Sequence, residues 1–111
     1  MISTHVLDTA RGVPAAGVRV VLERVEAGGI HEISRAATDE DGRVRELVPT
    51  GTTPGAGRYR LTFDTGSYFA TLGVEAFYPS VAIVFEIRDV TQHYHVPLLL
   101  SPYGYSTYRG S

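Results

Sequence analysis

Apolar and polar residues alternate along most of this chain and almost nowhere recur at helical spacing, so the pattern predicts an all-β protein. "STHVLDT" opens as a first strand. "RGVPAAG" gathers Gly12, Pro14 and Gly17 into a turn, after which "VRVVLERVE" sets Val18, Val20 and Leu22 against Arg19 and Glu23. "AGG" at 27–29 predicts a hairpin connection into a third strand, "IHEISRAAT". Asp39, Asp41 and Gly42 of "DEDG" then form a turn that delivers a short strand, "RVREL", and place Arg43 where a strand leaves a loop.

"VPTGTTPGAG" holds two prolines and three glycines in ten residues and predicts a long loop. In the strand that follows, "RYRLTFDT", Tyr59, Leu61 and Phe63 alternate with Arg58, Arg60, Thr62 and Asp64. "SYFATLG" is the one stretch suited to a short helix, with Ser67 as the expected N-cap and Gly73 as the stop. "SVAIVFEIR" is nearly continuous in apolar residues, as a strand covered on both faces would be, so something is expected to pack on its outer side, a place a partner subunit could fill. "HYHVPLLL" and "YGYSTYR" end the series through the turn "SPYG". About eight strands at this spacing predict a sandwich.

Alternation alone sorts the side chains of the penultimate strand. Tyr94, Val96, Leu98 and Leu100 share a core face, and His93, His95, Pro97 and Leu99 share the opposite one. His95 is therefore directed at solvent or a subunit contact. His5 stands early in the first strand, and Arg43 follows its turn. Taken singly, such residues are more often solvated surface groups than catalysts, and the spacing of Tyr103, Tyr105 and Tyr108 more often means sheet packing than ligand stacking.

Composition narrows the chemistry. A length of 111 residues, 43% of them hydrophobic and 20% charged, fits one ordinary globular domain over 1–111. A formal charge of −2 supplies no basic stripe, so neither nucleic acid nor an anionic membrane is an expected partner. The absence of cysteine excludes disulfides, thiol catalysis and thiolate-bound zinc. "MISTHVLDTA" has no basic, apolar leader pattern, and no run approaches the roughly 20 apolar residues of a membrane span, so a cytoplasmic protein is expected. The pair His93 and His95 could bind zinc, but no HExxH or spaced carboxylate cluster joins it, and no metal or cofactor is expected. No nucleophile elbow and no phosphate-cradling loop is present.

Taken together, "STHVLDTARGVPA", "TDEDGR" at 38–43 and the closing "HYHVPLLLSPYGYSTYRGS" resemble the 5-hydroxyisourate hydrolases of the transthyretin-like family. The terminal "YRGS" is the most specific part of the match; transthyretin, a hormone carrier on the same scaffold, ends differently. The resemblance implies a transthyretin-like (prealbumin) Greek-key β-sandwich of seven to eight strands with one short helix. It also implies a homotetramer whose active sites lie between dimers. The implied reaction is hydrolysis of 5-hydroxyisourate, in urate degradation, to 2-oxo-4-hydroxy-4-carboxy-5-ureidoimidazoline. Carried onto this sequence, the catalytic residues fall on His5, Arg43, His95 and Ser111, and substrate contacts fall on His5, Arg43, Tyr108 and Arg109. Which histidine acts as base stays open at this point. A small-ligand carrier using the same channel is the rival reading, and an adhesive sandwich module is a weaker one.

Overall fold

The computed structural model describes all 111 residues, and its elements follow from the alternation. In chain order they are β1 (Ile2–Asp8), β2 (Val13–Pro14), β3 (Arg19–Glu26), β4 (Gly29–Ala37), β5 (Arg43–Val44), β6 (Gly57–Phe63), α1 (Thr65–Thr71), β7 (Val81–Ile87), β8 (Tyr94–Ser101) and β9 (Gly104–Thr107). Two sheets form. One runs β2-β1-β8-β9 with β5 also on β1, and the other runs β4-β3-β6-β7. The longer strands match the expected sandwich, and β2 is a two-residue ladder inside the segment read as a turn. "RVREL" pairs only over Arg43 and Val44.

Inward residues of the two sheets meet in one core. Ile2, Val6, Leu98 and Leu100 come from the first sheet and Val20, Leu22, Tyr59, Leu61 and Phe63 from the second, all buried. The four residues expected inward on β8 are buried as the alternation requires. Each fully buried side chain of this size stabilises the fold by roughly 1.5 to 3 kcal/mol relative to exposure.

Helix α1 starts earlier than expected. Asp64, not Ser67, is the N-cap, and its carboxylate accepts the Ser67 N–H at 3.2 Å. Both residue types cap helices, but β6 ends at Phe63, so Asp64 is the first residue free to do so. Gly73, with φ of +68°, does stand just beyond the helix end. The helix presents Tyr68 and Phe69 to the core, and the Tyr68 hydroxyl donates to the fully buried Asp8 carboxylate at 2.8 Å, tying α1 to β1.

Within the single chain nothing covers the outer side of "SVAIVFEIR". β7 is an edge strand of the second sheet, its outer residue Val84 is 58% exposed, and only Val81 and Ile87 are buried. Apolar continuity cannot distinguish a strand covered inside one chain from one left open. No helix is long and apolar enough to cross a membrane.

Candidate active site

Strand pairing assembles the site from four distant segments. β1 and β8 run parallel in register, which sets Ser3 beside His95 and His5 beside Pro97. On the other edge of β1, antiparallel pairing sets Arg43 opposite His5. Directly paired residues project to the same face, and Ser3 and His5, two residues apart, share the face turned away from the core. The first sheet thus carries Arg43, His5, Ser3 and His95 side by side.

The turn before Arg43 is built to deliver it. Asp39 accepts the backbone N–H groups of Asp41 and Arg43 at 2.9 Å each, and these bonds hold its carboxyl below the usual carboxylate range. Gly42 lies at φ of +75°, where a Cβ would collide with the Val6 carbonyl oxygen. Only glycine allows the chain to turn this closely against β1.

The tail closes the other side. Gly110 forms an isolated antiparallel bridge with His95, its N–H donating to the His95 carbonyl at 2.9 Å. A Cβ there would overlap the His95 ring and stand 3.1 Å from Pro97 Cγ, so glycine lets the tail lie flat on the histidine. Ser111 then reaches a cavity of about 230 Å³ lined also by Ser3, Thr4, Arg43, Val44, Arg45, His93 and His95. Val44 is its only apolar lining residue. Arg43 also lines a second, shallow cavity with His5, Pro14, Asp41 and Arg45, so it is shared by the cavity of His95 and that of His5.

Tyr108 and Arg109 go elsewhere. They line a separate groove beside β7, where Arg109 donates to Gln92 Oε1 at 2.9 Å and its guanidinium stacks 4.5 Å from the Tyr94 ring centroid. His95 touches both this groove and the Ser111 cavity, so the structure brings Arg43, His95 and Ser111 into one cavity, sets His5 in a second that shares Arg43, and leaves Tyr108 and Arg109 on the far side of His95.

Burial lowers the pKa of His95 from its ordinary value, with Arg43, His5 and His93 adding repulsion to its charged form; a hydrogen bond to the Ser3 backbone opposes the shift. The shift favours the neutral imidazole over the charged one. Its Nδ1 lies 2.7 Å from Ser3 Oγ, which also lies 2.7 Å from His93 Nε2. Neither Ser3 nor His93 was among the site residues expected from sequence.

A family model described as "HIUase/Transthyretin family" matches residues 2–110. The chain belongs to that family. It is 46% identical to the 5-hydroxyisourate hydrolase of Salmonella dublin over 111 residues, which is all of this chain and 81% of that protein. Among solved structures, the 5-hydroxyisourate hydrolase of Klebsiella pneumoniae superposes with a TM-score of 0.86 at 40% identity, covering 99% of this chain and 98% of that one. Sea bream transthyretin in complex with thyroxine superposes with a TM-score of 0.90 at 32% identity, over 98% of this chain and 93% of that one. A hydrolase and a thyroxine-binding protein thus share the fold, and the site must separate the two activities.

Proposed function

We propose that this protein hydrolyses 5-hydroxyisourate in urate degradation, with His5, Arg43, His95 and Ser111 forming the site. The observation that carries the reading is a half-buried histidine beside a guanidinium in a polar cavity, where burial and the neighbouring charge favour its neutral form. Opening a cyclic amide needs a base for water, a positive or donor group for the oxygen that gains charge, and a proton for the departing nitrogen. His95 takes the water proton, and hydroxide adds to the ring carbonyl carbon. Arg43 stabilises the resulting oxyanion while His5, paired across the strand from it, holds the ring. As the C–N bond breaks, the proton on His95 passes to nitrogen, and a carboxylate and an opened ring remain.

The carrier reading fits the lining less well. Desolvating an aromatic hormone needs an apolar pocket, and here Val44 stands alone among serine, threonine, histidine and arginine. Tyr108 and Arg109 bound the site through their contact with β8 rather than by entering the same cavity. We further propose a homotetramer with the sites between dimers: the catalytic face is open in the single chain, and subunit contact would enclose it.

Two outcomes are expected. The rate of 5-hydroxyisourate loss, followed by ultraviolet absorbance across pH, should hold below pH 6.5 and fall only at lower pH. The sign follows from the shift: a histidine with lowered pKa stays deprotonated, and so competent as base, to a lower pH than the ordinary value of about 6.5. A midpoint above 6.5 would remove neutral His95 from the role. Prolonged dialysis against a strong chelator should leave the rate unchanged, because His93 Nε2 and His95 Nδ1 are both turned to Ser3 and no carboxylate completes a metal-binding group. Loss restored by added zinc would make the two histidines ligands.

A further inference from the structure

We propose that Ser3 and His93 form a proton relay that links His95 to solvent. The inference rests on the proposed hydrolysis and names residues beyond its catalytic set. Its basis is a chain of three groups: His95 Nδ1 to Ser3 Oγ at 2.7 Å, and Ser3 Oγ to His93 Nε2 at 2.7 Å. Ser3 is buried, His95 half-buried and His93 exposed, so the chain runs from a half-buried ring to a solvent-exposed one.

A hydroxyl has one proton, so Ser3 can donate to only one of the two rings and accepts from the other. For His95 to act as base, Nε2 must be free, which puts its own proton on Nδ1, donated to Ser3. Ser3 then donates to His93 Nε2. When His95 Nε2 takes a proton from water, the Nδ1–H proton passes to Ser3 Oγ as the Ser3 O–H proton passes to His93 Nε2. The positive charge leaves His95 and settles on His93, and no net proton is created or lost. His95 is now neutral with its proton on Nε2, aimed at the departing nitrogen. Delivering that proton runs the relay backwards, and His93 returns to neutrality.

Placement explains the advantage. A positive His95 would be half-buried, with Arg43 and His5 repelling it. On exposed His93 the same charge is solvated. The adjacent strands fix the geometry, since Ser3 and His95 are register partners in a fully paired parallel ladder.

The test uses full-length protein with fresh 5-hydroxyisourate, comparing wild type, Ser3→Ala and His93→Ala after circular dichroism has shown each variant folded. Ser3→Ala removes one oxygen atom, and kcat should fall about 10- to 100-fold with little change in KM, the range typical of groups that orient a functional histidine. His93→Ala should lose a similar factor and recover rate when imidazole is added as buffer, because a soluble imidazole can accept the proton from Ser3. Wild type should show a solvent deuterium effect that reports more than one proton in flight, and Ser3→Ala should report one. Full kcat in both variants, or a loss in His93→Ala that imidazole does not relieve, overturns the relay. A wild-type protein without hydrolytic activity would instead overturn the proposed function.

Discussion

Replacing His95 by Asn is expected to lower kcat/KM by about 100- to 10,000-fold, the usual contribution of a positioned acid or base, while the sandwich still folds. Asn keeps hydrogen-bonding capacity but not a titrating ring. The core face of β8 is untouched, since Tyr94, Val96 and Leu98 carry its packing and His95 points the other way. His5→Asn should lose a comparable factor through its place opposite Arg43. Groups acting on one transition state give losses that do not add, so the double variant should be little worse than the poorer single one. Arg43→Lys should fail as well, because lysine keeps the charge but lacks the planar fork that holds two acceptors in register. Initial rates on the purified, folded variants decide the matter. A His95→Asn protein with wild-type rate would leave that residue without a role.

Removing residues 108–111 is expected to reduce hydrolysis by at least about 100-fold, the penalty that a misplacement of about 1 Å can bring. The deletion takes away the Gly110 bond to the His95 carbonyl and the Ser111 side of the cavity. β8 keeps its full ladder with β1, so far-ultraviolet circular dichroism should still report a β-sandwich. Gly110→Val makes the same point without shortening the chain: any Cβ at 110 overlaps the His95 ring, so the tail must lift or the ring must turn. Either variant with most of the wild-type rate would mean that the tail does not shape the site.

What the sequence made legible follows from local physics. Alternation sorted β8 into a core face and a histidine face, and the "DEDG" turn announced where Arg43 would emerge, because both depend on residues a few positions apart. The resemblance at "YRGS" supplied the tail. Ser3 stayed invisible because its role comes from parallel pairing of β1 with β8, about ninety residues away, and no local pattern encodes that register. Parity with His5 would have placed Ser3 on the same face, but without the ladder nothing singles out a serine. The destination of Arg109 was equally hidden, since its contact with Tyr94 arises only once the tail has bridged to β8. The N-cap of helix α1, Asp64, lies three residues before the expected Ser67 because two good caps stood within one turn and the end of β6 selected the first.

The most direct measurement of the central claim is the loss of ultraviolet absorbance of freshly made 5-hydroxyisourate with protein present at a small fraction of the substrate concentration. Catalysis at the Arg43, His5 and His95 face predicts that many equivalents are cleared per chain, faster than spontaneous decay, with the rate proportional to protein. Clearance that stops at one equivalent, or decay no faster than without protein, would contradict hydrolysis and favour a binding protein on the same fold.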